Sequence, residues 1–242
     1  MSHRYALPDQ IAAEREFLPE QSWWQFAPKY NVAPKQYVPA IRLHDGKAEA
    51  LSMRWGFIPS WAEGKPSAAT RACAEFDRIE RSKTYRMPWL SGQRCILPMS
   101  GFYLWQLTAE NYRQPYFVNL TDRSVFGVAA IWDRSVAEDD DVIESCSIIR
   151  VAANDLLTGI APVPGRMPAI LRRRDYQTWL RGTPVEAKAA LRPYKAEWMQ
   201  AYAVSPRINS TLPDDADLIR PIRPLKGDEG PATPVERLFR IG

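Results

Sequence analysis

The sequence has few of the residues that build metal centres and catalytic triads. It contains only two histidines, His3 and His44, and three widely separated cysteines, Cys73, Cys95 and Cys146. The number and spacing of these cysteines fit neither a zinc site nor a disulfide framework. With two histidines, the sequence offers few candidates for a Ser-His-Asp triad. We therefore expect no metal and no other cofactor. We interpret the cysteines as reduced, mostly buried thiols.

Long apolar runs are missing as well. No stretch approaches the roughly 20 apolar residues that a helix needs to cross a bilayer, so we expect no membrane contact. The first ten residues, MSHRYALPDQ, lack the charged and then apolar layout of a secretory signal. Together these absences predict a cytoplasmic protein.

The charge balance is compatible with a polyanionic partner but does not require one. Lysine and arginine total 32 against 28 aspartate and glutamate, for a net charge of +4. Net charge bears on association rather than on fold. What matters here is therefore where the arginines stand relative to the motifs.

Strand-like segments dominate the local pattern. Alternating apolar residues flank the turn signal HDGK at 44–47, which predicts a β-hairpin. β-Branched and aromatic runs predict further strands at RCILPMSGFYLWQL, PYFVNL, VFGVAAIWD and VIESCSIIRV. Short helices are predicted within 8–28, over 152–160 and 174–181, and at PVEAKAAL, with an irregular loop carrying a short helix over 62–93.

Many strands with a few short helices are typical of one α+β domain. We find no internal repeat and no linker that would divide the chain. The domain is predicted to span residues 1–224. A Pro- and Gly-rich stretch at 225–242 predicts a flexible C-terminal tail.

A series of short motifs occurs in a fixed order over residues 1–222. Each motif is weak by itself, and the order and spacing carry the identification. They are MSHRY at 1–5, YNVAP at 30–34, WGFIPSW at 55–61, RCILPMSGFY at 94–103, ANDLL at 153–157, GRMPAIL at 165–171 and VSPRINS at 204–210. In this order they resemble the SRAP (SOS response-associated peptidase) family.

The resemblance implies an SRAP-like domain, with a mainly antiparallel or mixed, barrel-like β-sheet and short peripheral helices. Family members bind single-stranded DNA and react with the ring-opened aldehyde of an abasic site. An N-terminal cysteine, exposed by removal of the initiator methionine, closes a thiazolidine ring with that aldehyde. An asparagine, a glutamate and a histidine assist the proton transfers. The same cysteine is implicated in removal of the leading residue, the origin of the peptidase label.

This chain departs from the family at each of those four catalytic positions. Ser2 stands at the cysteine position, Ala69 at the asparagine position and Leu104 at the glutamate position. The histidine position falls in the loop 160–166, which contains no histidine. Ser2 is thus a degenerate nucleophile, because a hydroxyl needs a base to activate it. We expect binding without a stable covalent adduct, and therefore no efficient enzyme.

The resemblance also assigns phosphate contacts to arginines that this chain retains. Arg4, Arg71 and Arg166 match positions that contact phosphate, and Arg86 is a further, less certain match. A guanidinium suits phosphate because it is permanently charged and can bind through two nitrogens. An alternative interpretation is that Arg71 and Arg166 form ion pairs at the edge of the core.

Three further residues belong to the implied DNA-binding cleft. Trp61 matches an aromatic residue that stacks against bases, and stacking of this kind contributes about 1–3 kcal/mol per base. Asn31 and Pro34 belong to the element that lines the same cleft. The alternative for Trp61 is simple packing. The partner that the resemblance implies is single-stranded DNA, and analogy with the family implies a DNA-damage (SOS) or phage-related setting.

Two other functions remain open from the sequence. In the first, the α-amine of Ser2 forms a Schiff base at abasic sites, with a relocated acid or base among His3, Glu75 and Asp77. In the second, the fold serves as a scaffold for another protein or a ligand. The oligomeric state is not predicted by any of these features.

Overall fold

A computed structural model of the chain describes residues 4–65, 71–109, 111–162 and 165–224. The predicted tail, residues 225–242, lies outside the described residues. The strands are β1 (Tyr5–Leu7), β2 (Gln21–Ser22), β3 (Lys29–Val32), β4 (Tyr37–His44), β5 (Lys47–Trp55), β6 (Cys73–Glu75), β7 (Arg94–Met99), β8 (Gly101–Leu107), β9 (Arg113–Leu120), β10 (Phe126–Val136), β11 (Val142–Ala152), β12 (Arg166–Pro168) and β13 (Met199–Ala203). The α-helices are α1 (Gln10–Phe17), α2 (Arg86–Leu90), α3 (Asp155–Ile160), α4 (Tyr176–Arg181) and α5 (Pro184–Ala190).

Five long strands form a closed barrel. The order is β11, β10, β7, β4, β5, with antiparallel neighbours, and the parallel pairing of Ser145 with Arg54 and of Cys146 with Trp55 joins β11 back to β5. The predicted hairpin is confirmed as β4 and β5. Its turn residues Asp45 and Gly46 have φ of 48° and 74°, which explains the Asp-Gly pair there. The predicted barrel-like, mixed sheet is confirmed.

A second sheet packs beside the barrel, in the antiparallel order β13, β9, β8, β1, β3. Strand β1 is central in this sheet, because Tyr5 pairs with both Val32 of β3 and Phe102 of β8. Alternation along β8 sends Phe102 and Leu104 into the main core and Tyr103 into a smaller cluster. The start of the described chain is therefore fixed against the strand that carries the GFYLW motif.

The helices are short and peripheral, as predicted, and their ends follow local signals. Asp9 caps α1 by accepting the Ala12 amide at 2.9 Å, and Thr183 with Glu186 forms a capping box for α5. The helix predicted over 152–160 begins only at Asp155, because β11 continues to Ala152. Similarly, α4 begins at Tyr176 after a 3₁₀ turn at Arg173–Asp175.

The region predicted as a loop with one short helix contains more regular structure. A 3₁₀ helix spans Phe76–Arg81, and α2 follows it. Strand β6 was not predicted, since three residues give no periodicity; it forms because Cys73 to Glu75 add in parallel to β11. No α-helix in the described part of the chain is long and apolar enough to span a membrane.

Candidate functional site

An open cavity of about 840 Å³ lies where the second sheet meets the end of α3. It is bounded by the start of β1, the end of β8, the start of β9 and the residues that follow α3. A 3₁₀ helix at Pro206–Asn209 adds one more wall. The described lining residues are Arg4, Trp105, Gln106, Leu107, Arg113, Gly159, Ile160, Ala161, Pro162, Ile208 and Asn209.

The lining brings together two of the sequence motifs, MSHRY and VSPRINS, with segments that follow two others. Arg4 comes from MSHRY, Trp105 directly follows GFYL, and Ile160 begins the loop that leads to GRMPAIL. Asn209 comes from VSPRINS. Of the positions that the resemblance made functional, Arg4 and the described start of the loop 160–166 lie at this cavity.

A hydrogen bond fixes the aromatic wall of the cavity. The Trp105 indole Nε1 donates to Asn209 Oδ1 at 2.6 Å. The indole ring also lies 6.2 Å from the Tyr103 ring, in a tilted arrangement. Because Trp105 is only partly buried, its ring presents apolar surface to the cavity in a defined orientation.

Two arginines make the cavity electropositive. Arg4 is partly buried, and its desolvation lowers the pKa of the guanidinium from its ordinary value. Its backbone carbonyl accepts the Tyr103 amide at 3.2 Å, which holds this residue to β8. Arg113 is exposed at the start of β9. The described lining residues include no carboxylate, so the cavity favours an anionic ligand.

Helix α3 positions the loop at the rear of the cavity. The Asn154 side chain accepts the Leu157 amide at 3.1 Å and donates to the Tyr194 carbonyl at 2.7 Å. Leu157 and Ile160 are buried, so the helix is anchored at both ends. Ala161 and Pro162 then turn into the cavity rim. None of the described residues of this loop can transfer a proton through its side chain.

Leu104 occupies the position where the resemblance expects a glutamate. It is 1% exposed and belongs to the main hydrophobic core. A leucine side chain has no donor or acceptor, so this position cannot take part in proton transfer. The prediction that Ser2 and Ala69 stand at two other catalytic positions concerns residues outside the described ranges.

Arg166 does not line the cavity; it lies in an ion-pair cluster. Its Nη2 donates to Asp77 Oδ2 at 2.9 Å, and its Nε lies 3.4 Å from Glu75 Oε2. Glu75 also accepts from Arg150. Burial opposes ionisation of Asp77, but the hydrogen bond and charge of Arg166 outweigh it, so the pKa of Asp77 is lowered. Both carboxylates considered as a relocated acid or base are thus engaged by arginines.

Asn31 has a structural environment. It is 2% exposed, and its Nδ2 donates to the carbonyls of Ser210 at 2.9 Å and Pro213 at 2.8 Å. The Asp214 carboxylate in turn accepts its backbone amide at 3.0 Å. Asn31 therefore joins β3 to the segment that follows Asn209. Pro34, two residues after β3, is half-buried and lies outside the cavity lining.

The remaining candidate residues lie away from the cavity lining. Trp61 is 62% exposed on a 3₁₀ turn at Ser60–Ala62, and Arg86 is exposed at the start of α2. Arg71 has a φ of 43°, and its carbonyl accepts from Ser147 Oγ at 2.9 Å. Exposure leaves Trp61 and Arg86 accessible to a ligand, but the structure does not gather them at one place with Arg4.

Three cavity residues were absent from the sequence prediction: Trp105, Arg113 and Asn209. Asn209 stands inside the motif VSPRINS, and Trp105 lies two residues after RCILPMSGFY, so proximity to the motifs could have identified both. Arg113 belongs to no motif, and only the pairing of β8 with β9 brings it to the rim. Among the residues that the structure describes, no cluster of histidine, cysteine, aspartate or glutamate could hold a metal ion.

The chain matches the family model "SOS response associated peptidase (SRAP)" over residues 1–211. It is 31% identical over 208 residues to the abasic site processing protein YoqW of Bacillus subtilis, covering 84% of this chain and 89% of that protein. It is 29% identical over 238 residues to the abasic site processing protein HMCES of Pongo abelii, covering 82% and 66%.

Solved structures share the architecture. A protein from Bacteroides thetaiotaomicron superposes with a TM-score of 0.79 at 25% identity, covering 92% of this chain and 98% of the other. A protein from Bordetella bronchiseptica superposes with a TM-score of 0.72 at 27% identity, covering 85% and 100%. The barrel and the second sheet are thus a fold that these proteins have in common.

Proposed function

Because the chain belongs to the SOS response associated peptidase family, we propose that it recognises abasic-site DNA. Relatives that cover most of its length are named abasic site processing proteins. The ligand would enter the cavity that Arg4 and Trp105 line. This assignment links the family's substrate to one defined surface of the molecule.

The observation that carries the proposal is the composition of the cavity wall. Arg4 and Arg113 supply cationic donors, and Trp105 supplies an oriented ring. A phosphodiester strand that has lost a base needs contacts to its phosphates and an apolar surface beside the gap. Positively charged grooves with aromatic side chains are how proteins hold single strands. The finer assignment to single-stranded DNA follows from this pairing and from the family resemblance.

We propose further that binding is non-covalent or at most reversible. The described lining residues contain no carboxylate, histidine or cysteine, and buried Leu104 stands at the expected glutamate position. Loss of general acid–base assistance reduces rates by about 10²–10⁴-fold. The α-amine of Ser2 would still be able to condense with an aldehyde, but ring closure by a hydroxyl lacks an activating base.

The test is a binding titration with a trapping arm. A fluorescent single strand of about ten nucleotides, with and without one central abasic site, is titrated by anisotropy at two salt concentrations. We expect tighter binding of the abasic strand and an affinity that falls with salt. Absence of binding at low salt, or equal affinity at both salt concentrations, would contradict the proposal.

The trapping arm tests the chemistry separately. The same complex is treated with and without borohydride and resolved on a denaturing gel. We expect no adduct without reductant. A band that appears only with borohydride indicates a reversible Schiff base, whereas a stable adduct without it would refute the non-covalent proposal.

A further inference from the structure

A second basic surface lies at the opposite end of α3 from the cavity. It is a depression of about 430 Å³ lined by Asp122, Arg123, Arg172, Arg173, Arg174, Tyr194 and Trp198. Three consecutive arginines, 172–174, line this depression and do not line the cavity. We call this surface the Trp198 depression.

Trp198 orders two cations at the centre of this surface. The Arg172 guanidinium carbon lies 5.3 Å from the indole centroid, and the Lys195 ammonium lies 4.9 Å from it. The Tyr194 ring packs edge-on against the same indole at 5.7 Å. Cations held against an aromatic face keep their outward donors available and lose little conformational freedom on binding.

Two of the arginines at the depression make ion pairs within the protein. Glu16, whose side chain is 3% exposed, accepts two hydrogen bonds from Arg173 Nε at 2.8 and 2.9 Å. Arg123 lies 3.7 Å from the same carboxylate and donates to Tyr194 Oη at 2.6 Å. Asp122, which also lines the depression, lies 3.6 Å from Arg123 Nε. These two cations are therefore balanced by Glu16 and Asp122, and any excess positive charge must come from other residues.

The charges of Arg172 and Arg174 remain uncompensated. Within the described part of the chain, no carboxylate lies within 4.0 Å of Arg172. Arg174, whose side chain is 72% exposed, reaches only Asp175, at 4.0 Å. That carboxylate is held by Arg192 at 2.5 Å. The surface therefore carries one guanidinium group ordered against Trp198 and one exposed guanidinium group, and guanidinium groups bind phosphate through two nitrogens.

The depression and the cavity are connected through one short helix. Gly159 and Ile160 at the end of α3 line the cavity. At its beginning, Asn154 donates to the carbonyl of Tyr194, which lines the depression. A six-residue helix is about 9 Å long at 1.5 Å per residue. A strand bound in the cavity can therefore reach the depression within a few nucleotides.

We propose that the Trp198 depression is a second phosphate-binding surface, which holds the backbone of a nucleic-acid strand as it leaves the cavity. This inference rests on the proposed function, since it extends the same DNA contact. Arg172 and Arg174 supply the phosphate donors, whereas Lys195 is paired with Glu197 at 3.0 Å. The surface adds length to the bound strand without adding base recognition.

The test compares two strand lengths. An abasic single strand of about five nucleotides fills the cavity alone, whereas one of about twenty reaches both surfaces. The double variant Arg172→Gln/Arg174→Gln is expected to bind the short strand as the wild type does. For the long strand, affinity should fall several-fold and the slope of log K against log salt should shrink by about 1.4, since each phosphate contact on a single strand contributes about 0.7.

Two control variants accompany this comparison. Arg172→Lys/Arg174→Lys keeps both charges and should restore most of the salt slope. Arg134→Gln/Lys47→Gln removes two exposed charges from β10 and from the β4–β5 turn, and should leave both strands unaffected. Unchanged melting temperatures show that each variant is folded.

The outcomes separate the two proposals. An unchanged affinity for the long strand in Arg172→Gln/Arg174→Gln, or an equal loss for both strands, would overturn the second surface. Tighter binding of poly-glutamate than of the long strand, lost in the same variant, would reassign the depression to an acidic protein. If the short strand does not bind but the long strand binds through Arg172 and Arg174, the phosphate surface stands and the cavity proposal fails.

Discussion

Arginines in the closed barrel and arginines at the cavity differ in whether carboxylates surround them. Inside the barrel wall, Arg42 is 9% exposed and is held by Glu49 at 2.6 Å and Glu144 at 2.5 Å, with Trp132 beneath it at 4.4 Å. Burial alone would lower the pKa of Arg42, but the two carboxylates outweigh it and raise the pKa. At the cavity rim, the exposed Arg113 stands among described lining residues that include no carboxylate.

The presence or absence of carboxylate partners distinguishes arginines that stabilise the fold from arginines that are available to a ligand. A buried guanidinium without its carboxylates would cost several kcal/mol, so the barrel supplies two. An arginine on an open surface costs little in the absence of a partner, because water solvates it. By this criterion Arg166 resembles Arg42, since Glu75 and Asp77 hold it, whereas Arg113 resembles a ligand contact.

The largest expected effect is in the barrel. Arg42→Met should lower the free energy of unfolding by about 3–5 kcal/mol, because it leaves Glu49 buried without its partner. Urea denaturation measures this loss. Adding Glu49→Gln to the same variant should recover part of it. A loss below about 1 kcal/mol is the range of an exposed ion pair. It would mean that the buried ion pairs of Arg42 stabilise the barrel no more than surface ion pairs do.

Asn31 tests the boundary between fold and site. Asn31→Ala should lower the free energy of unfolding by about 1–3 kcal/mol, because the hydrogen bonds from its buried amide to the carbonyls of Ser210 and Pro213 are lost. Thermal and urea unfolding measure the change. Pro34→Ala, in the same motif but without such bonds, serves as control. If Asn31→Ala keeps its stability but loses affinity for DNA, Asn31 is a binding residue rather than a structural one.

A smaller effect is expected at the cavity rim. Arg113→Gln should weaken binding of the abasic strand about two- to fivefold, the range of an exposed ion pair. The salt slope should shrink by about 0.7, and stability should stay within about 0.5 kcal/mol of the wild type. Anisotropy at several salt concentrations measures the affinity and the salt slope. Arg134→Gln is the matched control. An identical loss of affinity in that variant would show that the effect of Arg113 is not specific to the cavity.

The smallest effect is expected from restoring the nucleophile alone. Ser2→Cys should give no stable adduct on abasic DNA, because Leu104 cannot relay a proton to or from the ring-closing thiol. A denaturing gel after incubation with the abasic strand measures this. The appearance of a stable adduct would show that other residues of this chain supply the missing proton transfers.

The sequence motifs predicted the fold well and the site only in part. The β4–β5 hairpin followed from its Asp-Gly turn, and the strands from their apolar alternation. Closure of the barrel by parallel pairing of Ser145 with Arg54 could not be predicted, because it joins segments that are distant in sequence. Nor could the ion pairs of Arg166, since periodicity says nothing about which carboxylate a surface arginine meets.

The central place of β1 in its sheet has a consequence for synthesis of the protein. Tyr5 is made well before its partner Phe102, so β1 waits until β8 has been made. At about 5–20 residues per second, this interval is about 5–20 s. During it, the edge of β1 that will meet β8 is exposed to chaperones and to other nascent chains, even when β3 already pairs with the other edge. Slow folding of this sheet is therefore expected to limit the yield of active protein more than slow folding of the β4–β5 hairpin.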